Sequence, residues 1–95
     1  MHVVIRKYTA SPDVIAETRR NMEHLEETMR RIPGFVAYYF IETDDGLATV
    51  TVTEDEAGTT ESMGRAASWI EQHTPNHSPG VPEVIKGQTL ISATR

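Results

Sequence analysis

Residues 33–52 read PGFVAYYFIETDDGLATVTV. A strand sends successive side chains to opposite faces. Phe35, Ala37, Tyr39 and Ile41 therefore take one side, and Val36, Tyr38 and Phe40 the other. A sheet with one wet face alternates apolar and polar residues, yet this stretch is apolar on both. Each face needs a cover. The TDDG at Thr43–Gly46, set between two β-rich runs, marks a hairpin joining strands Phe35–Glu42 and Leu47–Thr53. A two-residue loop and a three-residue loop with a glycine bulge both fit. They differ by one step of register, which leaves open the face shared by Ala48, Val50 and Val52.

Upstream, Val14, Thr18, Met22, Leu25, Met29 and Ile32 recur at spacings of four, four, three, four and three. That is one face of an α-helix. Ser11 stands as its N-cap, Pro12 at the first helical position, and Asp13 near the positive end of the dipole. Pro33–Gly34 stops it, so the spacing predicts a single helix over Val14–Ile32. Before it, His2–Tyr8 is rich in Val and Ile and reads as a first strand. Downstream, Asp55 or Thr53 caps a second helix running to about His73. Met63, Ala66, Ala67 and Ile70 form its apolar side with Trp69 on the flank, while Gly58 and Gly64 weaken it. Pro75, Pro79, Gly80 and Pro82 impose an irregular loop. A last strand lies within Val84–Ala93, with a bulge or a late start expected at Lys86–Gly87.

The order β-α-β-β-α-β defines an α+β, ferredoxin-like domain over residues 1–95, a four-stranded antiparallel sheet with two helices on one face. Right-handed crossovers put both helices on the same side. The opposite face is bare in a single chain, and each aromatic there has roughly 150–250 Å² to bury. A second copy of the same sheet is the simplest cover, which makes the expected assembly a homodimer.

Composition narrows the function classes. The chain has no cysteine, so neither a disulfide nor a thiolate zinc site is available. Nine basic residues against 14 acidic ones give a net charge of −5, which repels a phosphate backbone and argues against nucleic acid. Arg19–Arg20 and Arg30–Arg31 belong to solvated helix surface. The N-terminal MHVVIRKY has no leader pattern, and the longest apolar run, Phe35–Ile41, is far too short for a membrane span. A soluble, cytoplasmic protein is expected.

The PGF after a long helix, the hairpin ending in ATVTVTED and the ESMGRAASWI of the second helix resemble the dimeric α/β-barrel superfamily. More narrowly, they resemble its antibiotic-biosynthesis-monooxygenase-like branch, over about residues 2–93. The resemblance implies a homodimer whose two sheets face each other, and a pocket between helices and sheet in each subunit. It further implies cofactor-independent oxygenation of a small aromatic or polyketide-like molecule. In such monooxygenases a Trp on the second helix lines the pocket, with an Asn one turn earlier. Trp69 stands at that place here, but Arg65 replaces the Asn. Haem-degrading relatives use a Trp on this helix, a following His as iron ligand and an Asn on the first strand. His73 and His77 could supply the ligand, whereas HVVIRKY holds no Asn.

The implied site is Trp69, His73 and a pocket-facing tyrosine, Tyr39 or Tyr38, around the reacting group. Tyr38, Met63, Arg65 and His77 lie against the substrate, with no cofactor and no metal. The bland alternatives are that Trp69 packs the helix onto the sheet and that His73 caps the helix C-terminus. Met22, Met29 and Met63 also read as core filling. His2 and His24 read as surface or edge residues. His73 and His77 have the spacing of a helical metal pair, but Pro75 intervenes and no third ligand is evident. Two other functions share this layout: a non-catalytic ligand-binding or stress-response module, and a haem-binding or haem-degrading protein.

Overall fold

Four runs rich in β-branched and aromatic residues pair into one antiparallel sheet in the computed structural model, which describes residues 1–73 and 81–95. The elements are β1 (His2–Thr9), α1 (Pro12–Arg20), α2 (Met22–Arg30), β2 (Phe35–Thr43), β3 (Gly46–Thr53), α3 (Glu56–His73) and β4 (Glu83–Gln88). Strand order is β2-β3-β1-β4, the ferredoxin-like α+β arrangement. Among the described residues no helix is long and apolar enough to cross a membrane.

The hairpin closes through the two residues Asp44 and Asp45, with Thr43 opposite Gly46. That settles the register. Tyr38 pairs with Thr51 and Phe40 with Thr49, while Tyr39 pairs with Val50 and Ile41 with Ala48. On β1, Ile5 lies opposite Val50 on one side and Ile85 on the other. The open face therefore carries Val3, Ile5, Ala37, Tyr39, Ile41, Ala48, Val50, Val52 and Ile85. Tyr39 and Ile85 are each 59% exposed in the single chain. Strict alternation fails at one point: the pairing shifts between Phe35 and Ala37, so Val36 is bulged. Phe35 consequently pairs with Thr53 on the helix side, and the Arg30 guanidinium lies 6.0 Å from its ring centre. No such shift occurs at Lys86–Gly87, where pairing with β1 runs unbroken, and β4 ends at Gln88.

The expected single helix is two nine-residue helices meeting at Asn21. Asn21 leaves helical geometry, with φ −121° and ψ 19°. Its side-chain amide donates to the Glu17 carbonyl and its backbone N–H to that of Thr18. Thr18 bonds back to Val14 in the same way. Such side-chain bonds compete with the helical ladder and bend it. Ser11 occupies the N-cap place without a side-chain capping bond. At the other end Gly34 takes φ +72°, and its carbonyl receives the Glu54 N–H at 2.8 Å.

Asp55, not Thr53, caps α3, its carboxylate accepting the Gly58 N–H at 3.1 Å. The inward side of α3 is Gly58, Thr59, Ser62, Ala66 and Trp69. Ala67 is exposed, and Trp69 is central rather than flanking. Small residues at the start of that face let α3 ride close on the chain: a Cβ on Gly58 would lie 2.7 Å from the Pro33 carbonyl oxygen. His2 is buried against this end, its Nδ1 2.6 Å from the Thr59 hydroxyl, so it is not a surface residue. The core has two neighbouring parts. Tyr8, Val14, Ile15 and Leu47 pack beneath α1, and Leu25, Met29, Ile32 and Trp69 between α2 and α3. Phe40 and Ile70 touch both.

Candidate functional site

Trp69 is 3% exposed and joins α2 to α3. A buried indole N–H needs an acceptor, and it finds His24 Nδ1 at 2.8 Å. That bond fixes His24 Nδ1 as the bare ring nitrogen. His73 stacks on the indole, with ring centres 4.2 Å apart and planes 16° from parallel, and its own ring centre lies 5.2 Å from that of His24. His73 Nδ1 lies 2.9 Å from the Trp69 carbonyl, the helix-end contact expected for it. The indole is thus held by two imidazoles, one as acceptor and one as a stacking surface. Both lie in or beside the outer cleft between the helices, which Arg65 and Gln72 also line. Arg65 is engaged there with Glu61 at 3.1 Å.

The inner side of Trp69 looks toward the sheet. Beneath it lies a small cavity of about 10 Å³, room for roughly one water. Its walls are Tyr8, Tyr38, Phe40, Trp69, Leu25 and Ile70, with Arg6 and Thr49 as the polar members beside the tyrosines. Arg6 is 2% exposed, and its Nε and Nη2 have no hydrogen-bond partner. The hydroxyls of Thr49 and Thr51 are likewise unpartnered. Burial pushes the Tyr38 phenol up to about 12, against the opposing pull of the Arg6 charge and with a small upward contribution from Tyr8.

The expected site residues are therefore separated by the fold. Trp69 and Tyr38 share the helix–sheet cavity. Tyr39 does not: it lies on the opposite sheet face, so the pocket-facing tyrosine is Tyr38. His73 and Arg65 stay on the outer side of Trp69. Met63 is half-buried on α3 and does not line the cavity, and His77 lies outside the described residues. Sequence reasoning missed Arg6 and His24. Arg6 had a signal, because the inward positions of β1 are His2, Val4, Arg6 and Tyr8 and a charge among them is out of pattern. His24 had none: nothing in the sequence says which side chain will take an indole proton.

The fold class defined here is that of solved α+β structures described as antibiotic biosynthesis monooxygenases. No protein-family profile matches the chain. No curated protein matches it either. Among solved structures it is similar to a candidate antibiotic biosynthesis monooxygenase from Deinococcus radiodurans, at 10% identity over 100% of this chain and 98% of that one, TM-score 0.74. It is similar to a protein of unknown function from Nitrosomonas europaea, at 15% identity over 99% and 92%, TM-score 0.73. It is also similar to the haem-degrader MhuD from Mycobacterium tuberculosis with two haems bound, at 15% identity over 99% and 100%, TM-score 0.71. Identities this low establish the fold alone.

Proposed function

We propose that the protein is a homodimer, joined through the open sheet faces, whose working site is the helix–sheet interior beneath Trp69. There it holds a compact aromatic or polyketide-like molecule and oxygenates it without a cofactor. The observation that carries this reading is the aromatic cage of Trp69, Tyr38, Tyr8 and Phe40 around a buried, unpartnered cation. Core packing alone gives no reason to bury such a charge. The likeness of fold to structures described as monooxygenases supports the reaction class.

One observation favours a second reading, binding without catalysis. None of the described cavity-lining residues is a general base at neutral pH, because Tyr38 stays protonated and no His, Asp or Glu lines the space. Haem fits poorly. The cavity holds far less than a porphyrin, His73 lies flat on Trp69, and the inward polar group at the middle of β1 is Arg6 rather than Asn.

Trp69 is the sole tryptophan, so its emission reports the site. Titration with a flat phenol such as 1-naphthol, with oxygen uptake followed in parallel, separates the readings. A saturable emission change with oxygen consumption supports the oxygenase. The same change without consumption leaves the binding module. No change at millimolar naphthol removes both.

A further inference from the structure

Arg6 projects from the middle of β1 toward the helices, with Thr49 of β3 opposite it. It is one of the largest fully buried side chains in the molecule. A guanidinium stays protonated inside proteins, so a full positive charge lies in the cavity wall. No described residue neutralises it. The four ion pairs among the described residues are Arg19–Glu42, Arg20–Glu17, Arg30–Glu26 and Arg65–Glu61, all at the surface. No described carboxylate lines the cavity. Tyr38, which shares the cavity wall, is held in its neutral form. Shortage of acids is not the reason, since the chain carries 14 of them against nine bases. The fold places carboxylates elsewhere and leaves this cation alone.

The two unpartnered nitrogens say what would answer it. Nε–H and the neighbouring Nη2–H form one edge of the guanidinium and point side by side. That edge matches the two oxygens of a carboxylate. Beside it stand the unpartnered hydroxyl of Thr49 and the phenol of Tyr38, both able to donate to an anion. Around them the wall is aromatic. Arg6 faces the helices, away from the open sheet, so a second copy packed on that open face does not bring a carboxylate to it.

We propose that Arg6 is an anion-recognition residue: its Nε–Nη2 edge receives the carboxylate of a compact aromatic acid whose ring lies among Trp69, Tyr38 and Phe40. The proposal rests on the reading of the helix–sheet interior as the ligand site, and names the substrate class for it. Tyr38, Phe40 and Ile70 are the half-buried members of the wall. The resting cavity holds about one water, so the ring enters by displacing those side chains while the carboxylate replaces the missing partner of Arg6.

Calorimetric titration of benzoate, its neutral isostere benzamide and the cation benzylammonium tests this on wild type, Arg6→Met and Arg6→Lys. Wild type is expected to bind benzoate at least tenfold more tightly than benzamide, and benzylammonium least. Arg6→Met is expected to lose that preference and to melt no lower than wild type without ligand, because it removes an unpaired buried charge. Arg6→Lys keeps the charge without the fork, and its preference is expected to fall at least fivefold. Equal binding of benzoate and benzamide by wild type overturns the proposal, as does an unchanged preference in Arg6→Met. Should Arg6→Met not fold, Arg6→Lys decides by the same ratio. Benzamide or naphthol binding with no preference for benzoate leaves the ligand site standing and sinks only the role of Arg6. Failure of every aromatic probe removes both.

Discussion

Tyr38 sits where two electrostatic effects oppose each other, and burial wins. Its phenol is pushed up to about 12 because desolvation outweighs the attraction of the phenolate to Arg6. A folded-state value above the ordinary one means that folding is favoured by the protonated phenol. The contribution is complete below about pH 10 and is lost as pH rises through about 12. Two units correspond to about 2–3 kcal/mol. Urea unfolding at stepwise pH is expected to show wild type losing that much more stability than Tyr38→Phe across the alkaline range. Parallel curves for the two proteins would place Tyr38 in contact with water. Absorbance near 295 nm offers a direct check, since the Tyr38 phenol should titrate late. At neutral pH Tyr38 is protonated, able to donate a hydrogen bond beside Arg6 and not to act as a base. Any proton abstraction from a substrate must then use water or a group outside the described cavity wall.

At the scale of elements, two glycines of α3 give opposite tests. Gly58 lies against Pro33 and Thr53, where an added Cβ would meet backbone oxygen at 2.7 Å and side-chain carbon at 2.8 Å. Gly64 is exposed with nothing within 4 Å. Gly58→Ala is expected to destabilise by about 1–3 kcal/mol through overpacking, although Ala is the better helix former. Gly64→Ala is expected to stabilise by about 0.5–1 kcal/mol. Thermal denaturation of both reads the signs, and a stabilising Gly58→Ala would refute the close approach. Both glycines look alike in the sequence, where each counts only as a helix weakener. The same limit runs through the fold. Element order, the Pro33–Gly34 stop and the start of α3, with Asp55 as one of two candidate caps, were legible because they rest on local chemistry. The break at Asn21 was masked by a hydrophobic repeat that continues straight across it. The bulge at Val36 moved Phe35 to the other face, since alternation counts residues and cannot see one that is skipped. Trp69 was legible as a residue of interest, and Tyr38 only as one of two candidates, because a single register step decides between it and Tyr39. Arg6 left a trace in the sequence as a charge among the inward positions of β1, but its lack of a partner shows only in three dimensions.

For the whole molecule, one sheet face is closed by helices and the other is not. Val3, Ile5, Tyr39, Ile41, Val50 and Ile85 form a continuous apolar surface across all four strands. Val81, Leu90 and Ile91, outside the strands, are almost fully exposed as well. Soluble monomers rarely leave so continuous an apolar face wet, which is the ground for the proposed homodimer. An interface copied by two-fold symmetry buries it with no change to the helix side. The covered sheet is the premise of the proposed function: it lets the interior beneath Trp69 be the wall of a closed barrel rather than one layer of an unfinished sandwich. Light scattering coupled to gel filtration tests that premise most directly, on wild type and on the paired substitution Tyr39→Glu with Ile85→Glu. Wild type is expected at twice the chain mass of 10.6 kDa at micromolar concentration, and the doubly charged variant as a monomer or an unfolded chain. A wild-type protein that stays folded at 10.6 kDa, or a dimer indifferent to both charges, would contradict the account.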